Sequence, residues 1–410
     1  MSSSPRLVVV FLAIVVLVSP QLPHAAEPLP RVASPEEVGL SSERLDRLAR
    51  VTQGHVDTGL LPGAVILIAR HGKIGYFKTF GYRDRVARSA MPADAIFRLA
   101  SLTKPIVSVA AMMLHEEGRF QIYDPVSQYL PEFAKPTVGV DRVSAIREMT
   151  IQDLLRHTSG LTDGGGTTPI DQLYRDTDVR NRDQTNADLV TRLAKLPLLH
   201  HPGTRWHYGL STDVLGRLVE VVSGKTLGTF LAERIFRPLG MEDSGFWLPA
   251  AKVSRAAQPW QRPGGGPMTL RSDVAVAPRL EGGGGGLVSS ATDYLRFAQM
   301  LLNGGDFNGS RLLGRKTVEF MTADHLGAIP GQQEGMGWGL GFQVRRDAGI
   351  AGLPGSVGEY GWAGNTGTIF WVDPKEQLIA IYMVQVSAED RVYLRNQFRS
   401  LVSQAVIGRP

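Results

Sequence analysis

Two strand-rich stretches sit at opposite ends of this chain, and the text between them reads mostly as helix. Near the start, Gly63-Ala-Val-Ile-Leu-Ile-Ala-Arg70 and the run beginning at Lys73 flank the two-residue turn His71-Gly72, the pattern of a tight β-hairpin. Near the end, Gly367-Thr-Ile-Phe-Trp-Val-Asp373 and the apolar run ending at Val384 flank a turn at Asp373-Pro374-Lys375-Glu376, which reads as a second hairpin. A chain in this order predicts one α/β lobe assembled from both termini. Its antiparallel sheet is flanked by helices, and an all-helical lobe is inserted in its middle. The expected parts are 27–98 and 285–410 for the α/β lobe and 99–284 for the mostly helical one.

Helix ends are legible in the caps. Ser41-Ser-Glu-Arg-Leu-Asp-Arg-Leu opens an amphipathic helix reaching about Val56, with a serine at its start. Thr150-Ile-Gln-Asp-Leu-Leu begins a short helix, and a Gly/Thr/Asp-rich loop follows from Thr162. Thr212 to Val222 and the stretch after Gly224 read as further helices. The segment 262–281 carries few regular signals. A five-glycine run, Gly282 to Gly286, precedes another helix. Strand signals return near Gly337-Trp-Gly-Leu-Gly-Phe-Gln-Val. Ser387-Ala-Glu-Asp390 has the form of a capping box, predicting a last helix to about Ala405.

Composition narrows the chemistry. The 410 residues include no cysteine, which excludes disulfides, thiolate metal sites and cysteine nucleophiles. The formal charge of +5 is scattered, with no basic cluster interleaved with aromatics, so no nucleic-acid partner is expected. Leu7 to Val18 is an unbroken apolar run after Arg6, followed by Ala25-Ala26. That is too short to span a bilayer comfortably and suits a signal peptide over 1–26. The expected location is secreted or periplasmic, without stable membrane insertion beyond this segment; the alternative is an uncleaved N-terminal anchor. No G-x-S-x-G and no H-E-x-x-H occurs. His200, His201 and His207 surround Pro202-Gly203 and read as loop residues. The glycine run lacks the Lys-Ser/Thr of a phosphate loop and instead lets backbone turn or pass close to a site. Neither metal nor cofactor is expected.

One pattern remains. Arg98-Leu-Ala-Ser-Leu-Thr-Lys-Pro105 opens the apolar run Ile106-Val-Ser-Val-Ala-Ala-Met-Met-Leu114, ended by Gly118. Proline is tolerated only in a first helical turn, so Ser101 falls at or just before the helix start, where backbone N–H groups favour a developing anion. Lys104, three residues on, shares its face. A lysine acts as a base only when neutral, a form that burial favours. Proline also biases the preceding residue, Lys104, away from helical geometry. Taken alone, the four residues read more readily as a plain N-cap and a solvated lysine than as a nucleophile with its base.

Two further segments complete a site. Tyr208, in Trp206-His-Tyr-Gly-Leu-Ser211, is placed to relay a proton, with its phenol within hydrogen-bonding reach of both Ser101 and Lys104. Trp362-Ala-Gly364-Asn365 puts small residues at the start of a strand. Gly364 lets a substrate approach the backbone, and the N–H of Asn365 joins that of Ser101 as an oxyanion donor. His157, in Leu154-Leu-Arg-His-Thr-Ser-Gly-Leu161, is expected to be a structural hydrogen-bonding residue.

With these residues the chain resembles the serine β-lactamase and penicillin-binding-protein superfamily. Within it, the likeness is to class C β-lactamases and most of all to family VIII carboxylesterases. Ser101-Leu-Thr-Lys104 matches the S-x-x-K motif. Leu154 to Leu161, Pro202 to Gly224 with Tyr208, Phe236 to Phe246 and Gly283 to Ala298 resemble further family blocks, in order, so that the resemblance spans about 35–405. It implies the β-lactamase/transpeptidase-like fold. Two departures matter. The family's Tyr-x-Asn is here Tyr208-Gly-Leu210, and its Lys-Thr-Gly or His-Thr-Gly is here Trp362-Ala-Gly364. A tryptophan cannot pair with a substrate carboxylate, so affinity for such substrates should fall by a charge-assisted bond. It would instead offer an apolar wall, as in the esterase branch. The resemblance therefore implies a secreted serine hydrolase that cleaves carboxylic esters through an acyl-enzyme on Ser101. A β-lactamase or D-alanyl-D-alanine carboxypeptidase, with a lactam or peptide substrate, is the alternative. A non-catalytic penicillin-binding relative is the third possibility. The sequence is silent on oligomeric state.

Overall fold

The computed structural model describes residues 29–261, 273–387 and 389–408; the expected signal segment 1–26 and most of the signal-poor stretch after 261 lie outside them. Helix α1 (Ser42–Asp57) begins where Ser41 accepts the N–H of Arg44 at 3.3 Å. Strands β1 (Gly63–Arg70) and β2 (Lys73–Asp84) form the first hairpin. Its turn residues have φ 51° at His71 and 71° at Gly72, the left-handed pair a two-residue turn requires. Strands β3 (Ser89–Ala90) and β4 (Ile96–Arg98) follow, then helix α2 (Thr103–Glu116), α3 (Ile151–Leu155) and α4 (Ser211–Ser223). After the glycine run come β5 (Val288–Ser290) and α5 (Ala291–Leu302), then β6 (Met336–Trp338), β7 (Gln343–Arg345), β8 (Tyr360–Ala363), β9 (Gly367–Asp373) and β10 (Leu378–Gln385). Helix α6 (Arg391–Ser403) ends the chain.

Eight strands make one antiparallel sheet in the order β6-β7-β8-β9-β10-β1-β2-β3. The two hairpins meet at its centre, β1 against β10 from Ala64↔Val384 to Arg70↔Leu378. Every residue of β1 and β10 is buried, because helices cover both faces; this is why their sequences are continuously apolar and do not alternate. Ile66, Ile68, Ala380 and Tyr382 face a cluster shared with α1 and α6, where Phe398 stacks on Tyr382 at 4.7 Å. Val65, Leu67, Ile379 and Ile381 face the opposite way, into a cluster that continues through α2 and α5 to Leu215 and Leu227. One apolar core therefore joins the sheet to the inserted helical segment.

The chain leaves the sheet lobe through β4 and returns through β5, and these two pair antiparallel, Ile96↔Ser290 to Arg98↔Val288. Sequence reading had no strand at β5, which is three residues long and ends in two serines. Helix α2 is buried from Thr103 to Leu114, as its all-round apolar sequence requires. Pro105 is its third residue and needs no donor there. Lys104 is helical despite the proline, because the short 3₁₀ turn Ala100–Leu102 leads directly into α2. At the other end, the capping box expected at 387–390 is absent among the described residues. Helix α6 starts at Arg391 without a side-chain cap, since the Ser387 hydroxyl is turned to the Asp390 carboxylate at 3.3 Å.

Tyr294 of α5 is fully buried and donates its hydroxyl to the Leu102 carbonyl at 2.9 Å. Tyr294→Phe removes this bond from a buried carbonyl and is expected to cost about 1 kcal/mol. A lowered midpoint in urea unfolding is the expected readout, and an unchanged midpoint would show the bond idle.

Candidate active site

Ser101 sits in the 3₁₀ turn between β4 and α2. Ala100 before it has φ 47°, a left-handed conformation that costs a non-glycine residue of order 1 kcal/mol and persists only where surroundings impose it. They do so through the carbonyls. Arg98 O accepts from Thr366 Oγ1 at 3.1 Å and from Gln385 Nε2 at 3.1 Å. Leu99 O accepts from Thr368 Oγ1 at 3.3 Å. From the other side, Leu99 N donates to Leu287 O at 2.9 Å, and Leu287 N donates to Thr103 Oγ1 at 3.1 Å. The turn is thus clamped between the β9–β10 hairpin and the end of the glycine run.

Lys104 is 4% exposed. Its Nζ lies 3.5 Å from Ser101 Oγ and donates to the Gly284 carbonyl at 2.6 Å. It also sits over the Tyr208 ring, 4.6 Å from the centroid. No carboxylate pairs with it among the described residues. The five glycines explain the close carbonyl. A Cβ at Gly284 would overlap the Asp213 carboxylate, which instead accepts the Gly284 N–H at 3.0 Å. Asp213, at the start of α4, was not foreseen; it holds the glycine run against that helix and so aims Gly284 O at Lys104.

Tyr208 is reached from the same side but not as expected. Its hydroxyl accepts from Trp362 Nε1 at 3.2 Å and has no hydrogen bond to Ser101 or Lys104. The lysine lies over the face of the ring without a hydrogen bond to its oxygen, so the three-way hydrogen-bonded triangle is open in this structure. The ring is boxed by aromatics: Trp362 at 5.2 Å, His157 at 4.8 Å and Trp338 at 6.4 Å. His157 is the buried floor of this box, with φ 57° and a long Nε2 contact to Thr212 Oγ1 at 3.4 Å. Burial, the Lys104 charge and His207 hold its pKa well below the ordinary 6.5, so it is a neutral packing partner of Tyr208.

Trp362 and Ala363 end strand β8, and Gly364 to Thr366 form the turn into β9. Gly364 does more than admit a substrate: a Cβ there would strike the Leu99 carbonyl and Thr368 Oγ1. The glycine is needed because the turn that carries Ser101 presses against this strand. The N–H groups of Ser101 and Asn365 have no partner among the described residues, as a pair of oxyanion donors requires.

These residues line a cleft of about 1070 Å³. Its walls include apolar side chains of both lobes, such as Leu189, Leu210, Leu280 and Leu353. Helix α6 adds Arg391, Arg395 and Arg399 at helical spacing four. Arg395 donates to the carbonyls of Gly364 and Gly367, and Arg391 to that of Asn365 at 3.3 Å. Burial and the charge of Arg391 push the Arg395 pKa down to about 9, with Tyr208 acting in the opposite sense. Sequence reading missed these arginines, although the i, i+4, i+8 repeat was visible in a helix already expected.

A serine on a strained turn, a buried lysine one turn on and two unpartnered N–H groups beside them have the form of a serine hydrolase. The chain belongs to the beta-lactamase family, whose sequence pattern matches residues 48–403, and it has the β-lactamase/transpeptidase-like fold. It is 33% identical over 355 residues to esterase EstB of Burkholderia gladioli, covering 80% of this chain and 87% of EstB. To lovastatin esterase of Penicillium rubens it is 30% identical over 374 residues, 81% and 91% of the two chains. The solved structure of EstCE1, described as a hydrolase with promiscuous acyltransferase activity, matches with a TM-score of 0.74 at 26% identity, covering 89% of this chain and 98% of that one.

Two expected outcomes follow. In the unfolded chain His157 takes a proton near pH 6.5, whereas folded His157 does not. Stability is therefore lost as pH falls below about 6.5, with a slope of up to about 1.4 kcal/mol per pH unit from this group. Urea unfolding at pH 7.5 and 5.5 should show the loss, and His157→Asn should reduce it; an equal loss in the variant would contradict this. Gly284→Ala should displace the carbonyl from Lys104 and lower kcat/KM at least about tenfold, the scale of one hydrogen bond to a charged group. Activity equal to the parent protein would remove Gly284 O from the account.

Proposed function

We propose that the protein is a carboxylesterase working through an acyl-enzyme on Ser101. Lys104, in its neutral form, takes the Ser101 hydroxyl proton. The serine oxygen attacks the ester carbonyl, and the N–H groups of Ser101 and Asn365 hold the resulting oxyanion. As the intermediate collapses, Tyr208 delivers a proton to the departing alkoxide and is reprotonated from Lys104. Water then attacks the acyl-serine with the same groups as base and acid, releasing the carboxylic acid and restoring Ser101. Tyr208 keeps its bond from Trp362 in this scheme and reaches Lys104 and the leaving oxygen through a bound water.

The observation that carries the ester reading is the Trp362 indole N–H on the Tyr208 oxygen. The lysine or histidine of the lactamase motif is replaced by a neutral donor that keeps a hydrogen bond to the phenol while walling the cleft with an apolar surface. Esters depart more readily than amides and need less anchoring. The names of the two esterase relatives agree with this reading. The apolar segment 7–18 supports export, so a secreted or periplasmic location is part of the proposal.

Initial rates on p-nitrophenyl butyrate, nitrocefin and a D-Ala-D-Ala peptide test it. Butyrate cleavage should dominate, and Ser101→Ala and Lys104→Ala should abolish it. Nitrocefin turnover beside negligible ester cleavage would refute the reading. Trp362→Phe keeps the wall and removes the donor. It should lower kcat by about ten- to a hundredfold with KM little changed, as for a bond that matters in the transition state.

A further inference from the structure

The sequence shows the loss of a cation from strand β8, and the structure brings others to the same turn from helix α6. Eight basic side chains but only two acidic ones, Asp163 and Asp213, line the cleft. Asp163 is already paired with Arg180, and Asp213 accepts the Gly284 N–H. Arg98 and Arg182 make contacts of their own, Arg345 and Arg399 share Glu359 and Arg180 holds Asp163, so the surplus of positive charge beside the candidate nucleophile is that of Arg391 and Arg395 with Lys104.

Arg391 and Arg395 concentrate this surplus. Arg399, one turn further, shares the Glu359 carboxylate with Arg345 at 2.6 and 2.8 Å. Arg391 and Arg395 have no acidic partner among the described residues; their bonds go only to the carbonyls of Gly364, Asn365 and Gly367. Both are partly buried. Each guanidinium has five N–H donors, and carbonyls at this turn engage few of them. Two half-buried charges side by side without a counter-ion repel one another and are costly to keep, unless an anion visits. They touch the very turn that carries the Asn365 N–H, so an anion bound to them lies close to the scissile carbonyl.

Resting on the esterase reading, we propose that the preferred substrates are esters bearing a carboxylate, bound by Arg391 and Arg395 within a few atoms of the scissile bond. Charge-assisted bonds to a guanidinium then replace the lysine–carboxylate pair that the Trp362 motif lacks, from the helix side of the same turn. The same surplus of charge draws anionic esters into the cleft in preference to neutral ones.

The test compares selectivity. Values of kcat/KM are measured for p-nitrophenyl hydrogen succinate against p-nitrophenyl butyrate, and for 4-acetoxybenzoate against phenyl acetate. The first pair carries the charge on the acyl side and the second on the alcohol side. The parent protein should favour the anionic member of at least one pair, which identifies the side. In Arg391→Gln and Arg395→Gln that ratio should fall at least about tenfold, the scale of one charge-assisted hydrogen bond. If the arginines only hold the turn, both members of a pair slow in parallel and the ratio stays put, which overturns the proposal. A parent protein that favours the neutral ester of both pairs also overturns it, and leaves the esterase reading intact. Cleavage of no ester at all refutes the esterase reading itself, and this inference with it.

Discussion

The chemistry of this protein hangs on one clamped turn, Arg98 to Thr103. Its carbonyls are held by Thr366, Thr368 and Gln385 on one side and by Tyr294 from below. The strain at Ala100 is tolerable only because these bonds are made together. Once the turn is fixed, helix α2 runs from it into the centre of the core, where it cannot rotate, and Lys104 is committed to the same side as Ser101. The carbonyl of Gly284, Tyr208 and the Asn365 N–H then need only be brought to that point by their own elements.

The topology supplies them from separate parts of the chain. The insertion brings α4, with Tyr208 just before it and Asp213 in its first turn. The β4–β5 pair returns the chain so that the glycine run crosses the mouth of α4. The β8–β9 connection gives the turn that carries the Asn365 N–H, and the α6 arginines Arg391 and Arg395 bond to its carbonyls. The site is therefore a junction between the sheet lobe and the helical segment, and the shared apolar core makes that junction rigid. Charge and shape in the cleft come from different sources: the aromatic box and leucines give shape, and the arginine row of α6 gives charge.

Much of this was legible in the sequence. The hairpin at His71-Gly72, the Ser41-capped helix and the nucleophile's helix follow from local rules, and so does the ordering of strands at the ends. The Ser101–Lys104 pairing follows from helical spacing alone. What was not legible depends on contacts between distant segments. Strand β5 exists because β4 offers it a ladder, not because of its own three residues. Asp213 matters through Gly284, and Gly364 through the carbonyl of Leu99; neither relation leaves a local mark. The Tyr208 oxygen was expected on the lysine, but a tryptophan from β8 supplies its donor. The arginines of α6 had a visible period, yet only the fold turns that face toward the cleft.

The central claim is that Ser101 carries the acyl group during turnover. Rapid-quench mass spectrometry of the protein mixed with p-nitrophenyl butyrate addresses it directly. The account predicts a transient mass gain of one butyryl group, mapped after digestion to the peptide containing Ser101 and absent in Ser101→Ala. An acyl group found on another residue, or steady ester cleavage by Ser101→Ala, would contradict it.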